Sequence, residues 1–588
     1  MRLVFDIETD GFLDTLTTIH CIAARNLDNI GQTWAFGPDK IEEGINLLIS
    51  AEMLAAHNGL TFDIPAIQKL YPWFDQACPR VYDTLVLSRL IRANLKDDDF
   101  TDRWKRPDMP VKLFGSHGLE AWGHRLGYHK GDFAKQTDWS TYSEEMLDYC
   151  LQDTLVTHRL WTELSPEKWD KRCISLEHRI AKVCHRIGNV GWTFDSSKAG
   201  ELYAQLSLER TTLEDELQEL FPAWTIEETF VPKVNNKKLG YVKGEPFIKT
   251  REVTFNPNSR KHIQYCLQQK YGWKPTEFTP SGDAKIDETV LSKLPWPEAQ
   301  KLGRSFMLQK RIGQLAEGNA AWLRLVDRDG KLRHVINPQG TVTGRMSSFK
   351  PNLQQVPAAR AEFGAECREL FTVPRGYQLV GADLSGIELR VLAHFLNDGG
   401  AYAKELLEGD IHTANMKAAG LSSRDQAKTM IYALCYGAGD QRLGEIIGQG
   451  AKAGRALRDK FFAANPAFPK LIRDVKHAVE HRGHLIGLDG RRLHVRGHAA
   501  LNVLLQSAAA LIAKKWLELV DQQIKEEGID AQIVAVVHDE IQIQVKGDAE
   551  YVGRDIACRK AEVAGRFYNI RVPIEAEYSI GRTWRDTH

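Results

Sequence analysis

Three apolar strands in this chain run straight into carboxylates: LVFDIETD (Leu3–Asp10), YQLVGAD (Tyr377–Asp383) and IVAVVHDEIQIQV (Ile533–Val545). A carboxylate that leaves water without a partner is costly, so such strands demand a nearby cation or an exposed edge. In the first, Val4, Asp6 and Glu8 alternate with Leu3, Phe5 and Ile7, which sets both acids on one face of a strand. In the third, Ile541, Ile543 and Val545 alternate with Gln542 and Gln544, while Ile533 to Val537 is apolar nearly throughout. That pattern predicts a hairpin with His538, Asp539 and Glu540 at its tip. Each segment taken alone has a plainer reading, an edge strand with a polar face for the first and a water-facing turn for the third.

The chain as a whole sets the frame. Its 588 residues imply roughly four domains. Hydrophobic content of 43% and charged content of 26% are globular values that allow sizeable cores. The 77 basic and 77 acidic side chains cancel, so any contact with a polyanion must rest on local basic patches or bound metal. Nine scattered cysteines, with no CxxC pair, predict reduced thiols in a cytosol. Early charges at Asp6 and Glu8 argue against a signal peptide, and no apolar run approaches membrane-spanning length.

Two further segments bear on the N-terminal acids. HNGLTFDIPAI (His57–Ile67) places Asp63 in a loop that leads into a helix. YCLQDTLVTHRLW (Tyr149–Trp161) reads as a helix with Tyr149 and Asp153 one turn apart on one face. Asp6, Glu8, Asp63 and Asp153 together suit a pair of hard divalent cations with oxygen ligands. Two such ions can activate a water against a phosphodiester and stabilise the departing oxygen. Tyr149 could orient that water.

A second two-carboxylate site is expected from Asp383, at the carboxyl end of its strand, and Asp539. Between them SSRDQAKTMIYALCYGAGD (Ser422–Asp440) presents Arg424, Lys428, Tyr432 and Tyr436 at intervals of four on one helix face. Cations followed by aromatics suit a nucleotide, phosphates against Arg and Lys and base against Tyr. By itself the stripe also reads as a plain amphipathic helix. The Lys-rich stretch Val231–Arg251 carries Lys233, Lys237, Lys238, Lys243, Lys249 and Arg251 against Glu245 alone, and reads by itself as a solvated surface loop.

The order and spacing of DIE, HNG…FD and Y…D resemble the DEDD-type 3′–5′ exonucleases in their Tyr-containing form. Asp83–Asp97 and Ser116–Gly127 look like the proofreading domain of short phage replicative polymerases. DLSGIELR, RDQAKTMIYALCYGAG and VHDEIQI resemble motifs A, B and C of the family A DNA polymerases, most of all the replicative enzymes of podovirus-type phages. NPQGTVTGRMSSFKPNLQQVP (Asn337–Pro357) and LDGRRLHVRGHAALNVLLQSAAALI (Leu488–Ile512) add to this likeness, which spans the whole chain.

The resemblance implies an α/β and α+β multidomain chain, an RNase H-like exonuclease followed by a right-hand polymerase. The exonuclease would occupy 1–170 and the thumb 175–330, with a short Lys-rich insertion at about 222–252. The palm would occupy 331–410 and 485–588, and the fingers 411–484. It implies template-directed DNA synthesis with proofreading, and two Mg²⁺ ions per active site. Asp383, Asp539 and the main-chain carbonyl of Leu384 would bind metal. Many relatives carry Tyr after the motif A aspartate, but a carbonyl ligand tolerates Leu.

Arg424, Lys428 and His412 would contact the triphosphate, with Lys428 also a proton donor to the leaving group. Tyr432 would stack on the incoming nucleotide, Tyr436 guard the template position, and Glu388 crowd the 2′ position. Arg345, Asn502 and Gln506 would reach minor-groove acceptors, which every base pair shows. His538 would contact the primer end, and the reading does not require Glu540. Implied partners are primer–template DNA, dNTPs and a phage helicase or primase. The Lys-rich stretch lies where phage relatives insert a longer loop that captures host thioredoxin. A thioredoxin-like processivity factor and direct DNA grip by the lysines therefore both stay open. The expected place of work is the cytoplasm of a host cell, with no membrane partner. A repair nuclease whose C-terminal region only grips DNA is the competing reading.

Overall fold

The computed structural model describes the chain except for residues 75–77, 79, 129–136, 280 and 496–498. It divides into two compact units, one of residues 1–192, 333–356 and 372–588, the other of residues 193–332 and 357–371.

The first unit opens with a five-stranded sheet of β1 (Arg2–Thr9), β2 (Ile19–Asn26), β3 (Thr33–Phe36), β4 (Met53–Ala56) and β5 (Arg80–Asp83), ordered β3-β2-β1-β4-β5. β1 pairs antiparallel with β2 and parallel with β4. The acid-bearing strand is therefore central, and the edge-strand explanation of Asp6 and Glu8 fails. Leu3, Phe5 and Ile7 are buried in an apolar cluster with Leu54 and Ile64. The helices that follow are α1 (Asp63–Leu70), α2 (Thr84–Ile91), α3 (Glu144–Leu164) and α4 (Lys171–Val190). Asp63 is thus the first residue of its helix rather than a residue of the loop before it. Each of the last three starts on an N-cap side chain, Asp83, Ser143 and Asp170 respectively.

In the second unit α5 (Ser196–Leu220) packs on α6 (Pro297–Ile312). Most of the Lys-rich stretch, residues 231–246, is the largely exposed connection of a hairpin, as the surface-loop reading expects, and its last five residues are strand. β6 (Trp224–Phe230) and β7 (Phe247–Val253) pair antiparallel, from Trp224 opposite Val253 to Phe230 opposite Phe247. Lys249 Nζ lies 3.9 Å from the centroid of the Phe230 ring, a cation–π contact that leaves Lys233, Lys237, Lys238 and Lys243 exposed at the tip.

The first unit resumes with a short hairpin, β8 (Val335–Asn337) and β9 (Ser347–Phe349). Next come β10 (Gln378–Leu384), α7 (Ile387–Leu396), α8 (Ile411–Ala419), α9 (Arg424–Cys435), α10 (Ala451–Ala464) and α11 (Ala467–Arg482). The long helix α12 spans Ala500–Glu526; its expected start at His498 lies outside the described residues. β11 (Ala531–Val537), β12 (Glu540–Val545) and β13 (Ala576–Gly581) complete an antiparallel sheet ordered β11-β12-β10-β13. β10, the strand that carries Asp383, is interior to this sheet.

α12 is buried over most of its length, from Leu501 to Val520. Within this core lies an ionic cluster. Glu177 on α4 accepts from Arg491 and from Lys514 on α12, both at 2.5 Å, with all three side chains at most 1% exposed. Among the described residues no helix is long and apolar enough to cross a membrane.

Candidate active sites

β11 and β12 are joined by the two residues His538 and Asp539, with Val537 opposite Glu540. A two-residue hairpin loop needs backbone in the left-handed region, and His538 supplies it at φ +60°. This tight tip lays Asp539 beside β10, where its carbonyl accepts the Leu384 N–H at 3.0 Å. Asp383 stands opposite Glu540 on one side and Glu577 on the other.

Three carboxylates in one row across a sheet repel one another. Loss of hydration, then the charges of Asp539 and Glu540, raise the Asp383 pKa to about 7, and loss of hydration also raises that of Asp539. Glu540 is relieved of this conflict by its own partners. It is 4% exposed, accepts from Gln542 and Trp584 at 2.6 Å each, and pairs with His588 at 3.1 Å. It is a structural anchor of the tip, which makes it more than the bystander expected from sequence. Asp383 and Asp539 are left as hard oxygen donors with surplus negative charge. That donor set fits Mg²⁺.

The residues expected around these two acids converge. Arg345 Nη2 lies 2.6 Å from Glu388 Oε1, and the Tyr436 hydroxyl donates to Glu388 Oε2 at 3.0 Å. Tyr436 also hydrogen-bonds Gln506, which shares a face of α12 with Asn502. The Arg345 charge reaches Asp539 and His538. The rings of Tyr432 on α9 and of Tyr436, which caps its C-terminus, are 6.5 Å apart, and burial, then Glu388, raise the Tyr432 pKa to about 12. Arg424 pairs with Asp410 at 2.8 Å, and Asp410 caps α8 just ahead of His412. Burial, then the charges of Arg424 and Lys428, push the His412 pKa down, which places a ring held toward its neutral form beside two cations.

The second site lies on the five-stranded sheet. Ligand atoms of Asp6, Glu8 and Cys150 all fall within 4.8 Å of one another. Asp63 accepts the Ile7 backbone N–H, which ties α1 to the strand between the two acids. Burial, then repulsion from Asp83 and Asp153, raise its pKa to about 7. Asp153 is buried on α3, one turn after Tyr149, whose ring meets Trp139 edge-on at 6.2 Å. Asp63 and Asp153 lie near enough to repel one another but are outside that 4.8 Å group, whose two acids, Asp6 and Glu8, are hard donors that fit a divalent cation. Gly59 lets the chain pass: a Cβ there would sit 2.5 Å from the Ala56 Cβ.

Two residues at this site escaped the sequence reading. Cys150, whose thiol lies 3.3 Å from the Asp6 carbonyl and 3.5 Å from its carboxylate, sits next to Tyr149 and three places before Asp153. Asp83 is 1% exposed and accepts four backbone N–H groups, of Asn58, Leu60, Leu85 and Val86. It fixes the loop ahead of Asp63, and its place just before a helical apolar run was the available signal.

Residues 236–586 match the family described as DNA polymerase family A. The chain is similar to a DNA-directed DNA polymerase of Enterobacteria phage T3, 34% identical over 709 residues covering all of both chains. It is likewise 34% identical, over 707 residues covering all of both, to a DNA-directed DNA polymerase of Escherichia phage T7. Among solved structures, the POL domain of Pol1 from M. smegmatis, in complex with DNA primer-template and dNTP, superposes with a TM-score of 0.73 at 20% identity. The match covers 99% of this chain and 96% of that one, a likeness of fold.

Proposed function

We propose, for a chain that belongs to DNA polymerase family A, that it extends a primer 3′ end on a DNA template with dNTPs and trims mispaired ends with a separate 3′–5′ exonuclease centre. We read it as the replicative polymerase of a phage, at work in the cytoplasm of the host. The observation that carries this is the meeting of Asp383 on β10 with Asp539 in the turn laid against that strand, together with the Arg424 and Lys428 cations that flank His412.

Asp383, Asp539 and the Leu384 carbonyl would hold two Mg²⁺ ions. Asp6, Glu8, Asp63 and Asp153 would hold the second pair. When bound, such ions activate an oxygen nucleophile and neutralise charge on the departing group. The protein's own residues do the rest. Arg424, Lys428 and His412 bind the triphosphate, and Lys428 delivers a proton to the leaving pyrophosphate. Tyr432 stacks on the incoming nucleotide while Glu388, braced by Arg345 and Tyr436, excludes a 2′-hydroxyl. Arg345, Asn502 and Gln506 reach minor-groove acceptors, Tyr436 guards the template position and His538 steadies the primer end. In the editing centre Tyr149 orients the attacking water.

We assign residues 1–170 to the exonuclease, 175–330 to the thumb, 331–410 with 485–588 to the palm, and 411–484 to the fingers. The β6–β7 hairpin, with its exposed lysines, is the expected point of grip for DNA or for a thioredoxin-like processivity partner. Extension in the presence of a competitor trap, with and without reduced thioredoxin, separates the two. Helicase or primase contacts belong to the same replicative reading. A repair nuclease that merely grips DNA would have no use for the Asp383–Asp539 pair.

The deciding experiment is extension of a labelled primer–template with Mg²⁺ and dNTPs. Asp539→Ala is expected to abolish growth and keep trimming, and Asp6→Ala to do the reverse. Loss of both activities in either variant would refute two separable centres.

A further inference from the structure

A cavity of about 270 Å³ lies between α2, α4 and the β8–β9 hairpin. Asn58, Thr61, Arg89, His185 and His334 are among its walls. It borders the editing centre, since Asn58 and Thr61 belong to the loop that runs into Asp63.

The charge balance of this cavity is unusual. Arg89 stands on α2, mostly buried, and among the described residues its side chain makes no hydrogen bond or ion pair. Burial lowers its pKa, and the nearby Asp83 only partly offsets that. Asp83 is already committed, because both of its oxygens accept backbone N–H groups. A guanidinium stays protonated in a protein interior, so Arg89 holds a full positive charge to which, among the described residues, the nearby Asp83 makes no direct bond.

His334 adds a second uncommitted group. It is 3% exposed, and neither ring nitrogen has a hydrogen-bond partner among the described residues. Burial drives its pKa down to about 4, so it is a neutral ring with one N–H to donate. Asn58 Oδ1 is taken by the Thr61 hydroxyl at 2.8 Å, which leaves the Asn58 amide N–H groups for a ligand. His185, also in the wall, accepts at Nε2 from Asn189 at 2.9 Å. Buried polar groups left open at this density are expected only where something fills the space.

The missing partner must be an anion rich in acceptors and small enough for the cavity. A phosphate meets both demands, since its oxygens match the fork of a guanidinium. We propose that this cavity is a phosphate-binding subsite of the editing centre, with Arg89 as its anchor, and that it takes a phosphate of an unpaired strand bound for trimming. The inference rests on the exonuclease reading above for the source of that strand. The same chemistry would also hold a free nucleoside monophosphate, the product of trimming.

The test is equilibrium binding to the full chain, in Ca²⁺ without Mg²⁺, of two probes: a fluorescein-labelled oligothymidylate and dTMP. Arg89→Ala is expected to weaken the oligonucleotide roughly 10-fold, the scale of a lost charge-assisted hydrogen bond. Arg89→Lys should restore part of the loss. Arg89→Gln, which keeps length and polarity but not charge, should behave as Arg89→Ala, and thermal melting of each variant reports folding. A loss confined to dTMP would keep the phosphate subsite and assign it to the free monoester. Unchanged affinity for both probes in a folded Arg89→Ala or Arg89→Gln chain overturns the proposal. Trimming of a labelled primer by the unaltered chain in Mg²⁺ is read separately. Its absence would remove the exonuclease reading while the Arg89 dependence of binding could still be measured.

Discussion

Arg345 and Glu388 form an ion pair at 2.6 Å, and the Tyr436 hydroxyl holds the other Glu388 oxygen at 3.0 Å. One carboxylate thereby links the segment ahead of β10, helix α7 and helix α9. A side chain held from two sides can act as a steric block, because it cannot rotate away. Glu388→Ala should raise the ratio of ribonucleotide to deoxynucleotide incorporation efficiency by about 10- to 100-fold, the range in which packing alone discriminates a hydroxyl. An unchanged ratio would count against the block.

Glu540 is expected to matter for stability more than for chemistry. Burial pushes its pKa up, but hydrogen bonds from His588, Gln542 and Trp584 outweigh that and leave it below the ordinary glutamate value. Glu540→Ala strands the buried Trp584 N–H and Gln542 amide, at a cost of about 1–3 kcal/mol for each group left unsatisfied. Because the folded pKa is depressed, this stabilisation is present above the ordinary glutamate pKa and is lost as pH falls through the folded one. In denaturant titrations the gap between wild type and variant should therefore narrow as pH is lowered from 6.

Asp383 and Asp63 carry the opposite sign. Both give up a proton near pH 7 when folded and near 3.8 in an ordinary environment. Between those values the unfolded chain binds fewer protons, so stability without divalent ions should fall as pH rises from about 4 to 7. Mg²⁺ should therefore raise the melting temperature more at pH 8 than at pH 5, where the carboxyls are protonated. A Mg²⁺ shift of equal size at both pH values would contradict the assignment of these acids as ligands.

Glu177 joins α4 to Arg491 and Lys514 inside the core of the first unit. Its removal leaves two buried cations with less counter-charge, although Asp489 still accepts from Arg491 at 2.8 Å. Glu177→Ala should destabilise by about 3–5 kcal/mol, the cost of breaking a buried pair from one side. Guanidinium denaturation measures this, and a loss below about 1 kcal/mol would show that Asp489 alone suffices.

Strand period and helix period made much of both sites legible. The alternation in Leu3–Glu8 placed two acids on one face, and the four-residue stripe from Arg424 to Tyr436 is one face of a single helix. Glu540 and Cys150 were not readable, and Asp83 only as the start of a helix, because the partners that decide their roles lie far off in sequence. Glu540 is held by Trp584 and His588, Asp83 by Asn58 and Leu60, and Cys150 faces Asp6 across the interior. The Lys-rich stretch was legible as an exposed loop, but the strands that frame it were not, for a related reason. Its strands pair across a tip of sixteen residues, and neither has the clean alternation of a half-buried sheet.

By itself the sequence determined which residues could carry charge, metal or nucleotide, and in which local element each would lie, since backbone period depends only on near neighbours. Only the tertiary structure decided which of those residues face one another. It closed the His538–Asp539 turn against β10, braced Glu388 between Arg345 and Tyr436, and left Arg89 and His334 around one cavity without hydrogen-bond partners among the described residues. The reason is physical: hydration loss and Coulomb repulsion depend on distance in space, and residues hundreds of positions apart become neighbours only when the chain packs.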